Sequence, residues 1–305
     1  MSASGPLDDA ATGRGTGSEA SFGTALAAAM DAHGPLCVGI DPHRALLDSW
    51  GLPDSPRGLR DFALRTVDAV EGEVAAVKPQ SAFFERHGAA GIAVLEETLA
   101  ALRAVGTLSI LDVKRGDIGS TMSGYAQAYL VEGAPLAADA MTLSPYLGYD
   151  SLSPALELAN ASGRGVFVLA LTSNPEGASV QHASTGQGSR SSSVAADVVA
   201  GAARSNAAAR DANTLGSVGL VVGATTGRAV AELGIDLLGA NAPLLAPGVG
   251  AQGAGAAELE AVFGAARRHV LASTSRGVLS AGPDLVALRA AAQAAAAEAL
   301  SALRA

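Results

Sequence analysis

Eight short aliphatic runs recur along the 305-residue chain, and longer stretches of helical periodicity separate them. The runs are LCVGID, VAAVKPQ, LSILDVK, AADAMTLSP, GVFVLALTS, SVGLVVGATT, PLLAPGVG and HVLASTS. Strands that alternate with helices build a parallel sheet with right-handed crossovers. Eight such units predict a closed (β/α)8 TIM barrel in a single domain over residues 21–305. The competing architecture is an open doubly wound sheet, but the first run is not followed by the Gly-x-Gly-x-x-Gly turn of a dinucleotide fold. Helices are expected over Gly58–Glu73, Ala89–Val105, Val194–Ala212 and Ala256–Arg268, with a shorter one over Phe22–Ala32. Leu95, Leu99 and Leu102 show the stripe that such helices bury. An Ala-rich helix from Pro283 to Arg304 closes the chain, with Pro283 in its first turn. Residues 1–20 are rich in Gly, Ser, Thr and Ala and lack an apolar segment, so they read as a disordered tail and not as a signal peptide.

Charge and composition exclude several functions. The formal net charge is −9 and no basic cluster opposes it, so nucleic-acid binding is not expected. No apolar run has membrane-spanning length. The one cysteine, Cys37, lies inside a predicted strand, where a buried thiol acts as a small hydrophobe, and this fits a reducing cytoplasm. The histidines are dispersed, with no metal-ligand spacing. Asp112 and Asp117 could share a divalent ion, but Lys114 between them would compete, so no metal is expected.

In a barrel of this kind the chemistry sits where strands end and loops begin. Polar residues gather at those points. Asp41 ends strand one, Lys78 strand two, and Asp112 with Lys114 strand three. Thr172 and Ser173 end strand five, Gly248 and Gln252 follow strand seven, and Ser275 and Arg276 follow strand eight. Asp112 and Lys114 are two residues apart, so they share a face. If that face is the barrel interior, both leave bulk water, and Lys78 and Asp117 become their natural partners. The spacing alone also fits a purely structural salt-bridge network. The turn PGVGAQGAGAAELE could hold a phosphate on backbone amides, with Arg276 as a fork to its oxygens, or be a plain loop.

The segment DVKRGDIGST resembles the Asp-x-Lys-x-x-Asp-Ile-x-x-Thr motif of orotidine 5′-phosphate decarboxylases. IDPH, VKPQSAFFE, LALTSNP, PGVGAQG and STSRG are similar to that family's other segments, in the same order, and the pattern is closest to its bacterial branch with Lys-Pro-Gln. The resemblance runs from about Ala20 to the C-terminus. Mg²⁺-dependent sugar-phosphate barrels share the Asp-x-Lys-x-x-Asp core but lack the Ile and Thr that follow here.

The resemblance implies decarboxylation of orotidine 5′-phosphate to UMP without a cofactor, in a homodimer whose sites are shared across the interface. It implies that Lys114 protonates C6 and that Asp112 lies against the substrate carboxylate. Lys78 and the neighbouring chain's Asp117 would complete the charged array. Asp41 and Thr121 would hold ribose hydroxyls, with Thr121 coming from the neighbour. Ser173 and Gln252 would contact the base and the closing phosphate loop, and Arg276 would bind the phosphate. Ile118, Pro247 and Ser275 join the substrate-binding set. Ser275 is a small departure, since many family members have Gly before the Arg.

Overall fold

A computed structural model describes residues 20–186, 192–249 and 254–304. All eight predicted strands form: β1 (Leu36–Ile40), β2 (Ala76–Pro79), β3 (Leu108–Arg115), β4 (Ala140–Leu143), β5 (Gly165–Leu171), β6 (Val218–Val222), β7 (Leu244–Pro247) and β8 (Val270–Thr274). Each pairs in parallel with its neighbours in chain order, and β8 closes onto β1 with Leu36 opposite Ala272 and Cys37 opposite Ser273. The sheet is therefore the closed barrel that the eight runs predict. Two two-residue strands, Ser184–Thr185 and Ser192–Ser193, make a small antiparallel hairpin in the long connection after β5. Among the described residues no helix is long and apolar enough to cross a membrane. The tail expected at the N-terminus lies, apart from Ala20, outside the described residues.

Three helices differ from expectation, each for a local reason. The segment expected as one helix over Val194–Ala212 is two, Val194–Ser205 and Ala207–Asp211. Buried Asn206 stands between them and turns its amide to the start of β6. Its Nδ2 donates to Val218 O at 2.8 Å and to Ala240 O at 3.1 Å, while its Oδ1 accepts from Val218 N–H. The helix expected over Ala256–Arg268 ends at Phe263, because Gly264 takes φ +46° and a 3-10 segment Gly264–His269 follows. The last helix runs Leu285–Arg304. Asp284 accepts a hydrogen bond from Ala287 N–H at 2.9 Å and so caps that helix, leaving Pro283 before it and not in its first turn.

Alternation along the strands divides the barrel interior into layers. One residue from each strand builds an apolar floor: Cys37, Ala76, Ile110, Ala140, Phe167, Val221, Leu245 and Leu271. The helix Phe22–His33 plugs that floor with Phe22, Leu26 and Met30. The fit is close. Phe22 meets Phe167 edge to face with centroids 5.9 Å apart, and a Cβ on Gly165 would sit 2.2 Å from the Phe22 ring. Cys37 belongs to this layer, where burial pushes its thiol up to about 12, so it stays protonated at neutral pH. A larger core fills the space between the strands and the outer helices.

Moving up by two residues converts floor into site. Ala76 gives way to Lys78, Ile110 to Asp112, Ala140 to Thr142, and Leu271 to Ser273. The plug and floor thus seal the end opposite the charged groups. Phe22→Ala is expected to cost about 3–5 kcal/mol of stability, read as a lower urea midpoint with an unchanged slope. An unchanged midpoint would show that this helix does not close the barrel floor.

Candidate active site

The charged strand ends converge on one carboxylate. Asp112, 6% exposed, accepts four hydrogen bonds. Lys114 Nζ lies 2.6 Å and Thr142 Oγ1 2.8 Å from its Oδ1; Lys78 Nζ lies 2.8 Å and Gln80 Nε2 2.9 Å from its Oδ2. Burial alone would raise the Asp112 carboxyl, but Lys78 and Lys114 outweigh it and hold it at about 2. Burial alone would lower the Lys78 ammonium, but Asp112 and Asp41 outweigh that and raise it. Both groups therefore stay ionised at neutral pH.

Asp112 and Lys114 do share the inner face, but they do not share one environment. Asp112 is buried, whereas the Lys114 side chain is 46% exposed at the barrel mouth. The reason is a bulge at the end of β3. Leu111 pairs with Met141 and Arg115 with Leu143, so three residues of β3 stand opposite Thr142 alone. Lys114 absorbs the excess with φ +45°, a left-handed conformation that costs a non-glycine residue about 1–2 kcal/mol. Thr142 supports it, since its hydroxyl donates to Asp112 and accepts the Lys114 N–H at 2.9 Å.

Asp117 does not join this array from within its own chain. Its Oδ1 accepts the Ile118 N–H at 2.8 Å, and among the described residues it forms no ion pair. Ile118 and Thr121 are exposed, as is Ser173 at the end of β5. Asp41 sits at the mouth above β1, where Ser275 Oγ donates to its Oδ2 at 2.5 Å, while its Oδ1 is buried with no partner among the described residues. The Ser275 hydroxyl takes the space where a Cβ on Gly39 would be, 2.1 Å away. This departure from the family pattern thus has a defined contact. Pro247 ends β7, exposed, and Arg276 begins a short helix, also exposed. Asp41, Gly248, Ser275 and Arg276 line one cleft. Gln252 lies outside the described residues.

Sequence reasoning missed Gln80 and Thr142, which supply two of the four donors to Asp112. Both could have been found from alternation, because Gln80 is two residues beyond Lys78 and Thr142 two beyond the floor residue Ala140. Among the described residues no three His, Cys, Asp or Glu side chains come together as a metal site.

Fold and site together define a (β/α)8-barrel enzyme with paired ammonium and carboxylate groups gathered at its C-terminal rim. The profile of the orotidine 5′-phosphate decarboxylase / HUMPS family matches residues 34–291. The orotidine 5′-phosphate decarboxylase of Streptomyces coelicolor is 57% identical over 271 residues, 89% of this chain and 94% of that one. The enzyme of the same name from Salinispora tropica is 57% identical over 272 residues, again 89% and 94%. A crystal structure from Streptomyces avermitilis superposes with TM-score 0.87 at 55% identity, covering 94% of this chain and 97% of that one. The Leishmania donovani OMP decarboxylase structure gives TM-score 0.71 at 33% identity, covering 93% and 100%. The chain belongs to the orotidine 5′-phosphate decarboxylase family.

The depressed Asp112 carboxyl has a consequence for stability. Its folded value, about 2, lies below the ordinary 3.8, so its contribution is present above about pH 4 and is lost as pH falls toward 2. Asp112→Ala also strands Lys78. The variant is expected to lose about 3–5 kcal/mol at pH 7, with the gap to wild type narrowing between pH 4 and pH 2. A gap that does not change with pH would assign the loss to packing and not to charge.

Proposed function

We propose that the chain decarboxylates orotidine 5′-phosphate to UMP and CO2, the last step of de novo pyrimidine synthesis, without a cofactor. The observation that carries this reading is the buried Asp112 carboxylate held between two ammonium groups at the barrel mouth. In the reaction the C6–carboxylate bond breaks, CO2 leaves, and the electron pair stays on C6. No conjugated ring system absorbs that charge. The Lys114 ammonium stabilises the carbanion as it develops and then gives its proton to C6. Asp112 faces the substrate carboxylate, and their repulsion falls as CO2 departs. Lys78 keeps Asp112 ionised throughout. Lys114 is open to solvent on one side and can regain its proton there.

The remaining residues hold the substrate. Asp41 is the proposed ribose ligand; among the described residues its Oδ1 has no hydrogen-bond partner. Arg276 lines the cleft that Asp41 also lines and is the proposed phosphate ligand. Ile118, Ser173, Pro247 and Ser275 are the further proposed substrate contacts. The cytoplasm is the expected compartment, since the single buried thiol suits a reducing milieu.

Purified protein is expected to consume orotidine 5′-phosphate in excess EDTA. Complete loss on chelation, with recovery on adding Mg²⁺, would move the reading to the sugar-phosphate enzymes. Lys114→Ala should lower kcat by at least about 1000-fold, the scale of a lost charge-stabilising donor. Arg276→Ala should act mainly on KM, with some loss of kcat if phosphate energy drives closure. A Lys114→Ala enzyme with near wild-type kcat would remove Lys114 as the proton donor.

The working unit proposed is a homodimer with shared sites. Asp117 is turned from its own array, and Thr121 is exposed beside it. The loops after β3 and β4 run together, so close that a Cβ on Gly116 would lie 2.2 Å from Ser144 O. They expose Ile118 (62%), Tyr146 (79%) and Leu147 (53%), an apolar rim that suits a two-fold contact. Through it Asp117 and Thr121 would enter the neighbouring site. Lys114→Ala and Asp117→Ala chains, each inactive alone, should regain about a quarter of wild-type activity after random exchange, because half the dimers are mixed and each mixed dimer has one intact site. A mixture that stays inactive after exchange is confirmed by mass would place both residues in one chain's site.

A further inference from the structure

Lys114 must be held where its strained backbone places it, and the inner network does only part of this. Asp112 ties Lys78 and Lys114 from inside the barrel. A second carboxylate ties the same two strand ends from outside. Glu85 ends the short helix Ser81–Glu85 that follows β2, and its Oε1 accepts from Ser81 Oγ at 2.6 Å and from Arg115 Nη2 at 2.6 Å. Arg115 is the residue after Lys114 and points to the opposite face of β3. Burial alone would raise the Glu85 carboxyl, but Ser81 and Arg115 outweigh it and hold it below the usual range.

The other contacts of Arg115 are longer, and its Nε is buried with no partner among the described residues. Its guanidinium reaches Val113 O at 3.3 Å and Tyr129 Oη at 3.5 Å, and its Cζ lies 5.5 Å from the centre of the Tyr125 ring. Both tyrosines stand on the helix Gly119–Leu130 that follows the β3 loop. Its carbonyl accepts the Ser144 N–H at 2.8 Å, where β3 resumes pairing after the bulge. The side chain therefore joins three segments: the helix after β2, the end of β3 and the helix after it. Lys114 lies between this anchor and Thr142.

We propose that Arg115 is a positioning residue: clamped to Glu85 behind the strand, it holds the β3 bulge and keeps the Lys114 ammonium over Asp112. A half-exposed ion pair adds little to global stability. Arg115 is 28% and Glu85 37% exposed. The clamp acts on geometry, and a small misplacement of a reacting group is costly in rate. The inference rests on Lys114 as the proton donor.

The test measures kcat, KM and melting temperature for Arg115→Met, Arg115→Lys, Glu85→Gln and the Arg115→Met/Glu85→Gln double variant, with Lys114→Ala in parallel. Arg115→Met is expected to lower kcat by about 10- to 100-fold with KM within about threefold. Arg115→Lys, which keeps the charge but loses the fork, should recover part of the loss. The double variant should be no slower than Arg115→Met, since both changes open one clamp. Wild-type kcat in Arg115→Met, or a rise in KM alone, would overturn the proposal. If Arg115→Met does not fold, Arg115→Lys and Glu85→Gln decide it: a lower kcat at constant KM upholds the clamp, and unchanged kcat in both overturns it. An active Lys114→Ala enzyme would fail the underlying assignment instead, whatever Arg115 does.

Discussion

A carboxylate removed from water must be given donors, and in this barrel Asp112 receives four of them. They come from three neighbouring strand ends: Lys78 and Gln80 at the end of β2, Lys114 on β3 itself, and Thr142 on β4. Desolvation of an unpaired charge would cost several kcal/mol, so those strand ends can adopt few arrangements that leave Asp112 satisfied. The same pairing serves the proposed chemistry. An ammonium already fixed beside the reacting carbon has no reorganisation left to undergo when charge develops there.

The arrangement needs a rigid base, and the apolar floor supplies it. Eight interior side chains, one per strand, pack against Phe22, Leu26 and Met30 directly beneath the charged layer. Water is thereby kept from the lower side of Lys78 and Asp112. The site also stores strain. Lys114 adopts a left-handed backbone because the bulge in β3 places three residues opposite one, and contacts on both faces of the strand offset the cost: Asp112 and Thr142 inside, and Glu85 with Tyr125 and Tyr129 around Arg115 outside.

Other features of the rim bear on the proposed dimer and substrate. Asp117 turns to the Ile118 amide, one buried oxygen of Asp41 has no partner among the described residues, and Ile118, Tyr146 and Leu147 present apolar surface. A neighbouring chain and a substrate would answer these separately: apolar cover and Asp117 from the first, a hydroxyl donor for Asp41 from the second. Ser275 fits the same scheme. Its hydroxyl donates to the Oδ2 of Asp41 at 2.5 Å.

Strand number, strand order and the polar rim were legible from sequence because they rest on local periodicity. Short aliphatic runs bounded by turn residues read as buried strands, and a period of two sends Asp112 and Lys114 to one face. The family motif around Asp112 was equally legible, since its spacing lies within a single segment. Tertiary contacts decided the rest. The helix from Val194 breaks because Asn206 satisfies the backbone of β6, more than ten residues away in sequence, and Asp284 displaces Pro283 from the last helix by offering a better cap. Gln80 and Thr142 became donors to Asp112 only when three strand ends met, and Lys114 became half exposed only through a bulge created by pairing with β4. Periodicity records which way a side chain points from its own strand. Which partner it meets there depends on register between strands, and register is set by packing across the whole barrel.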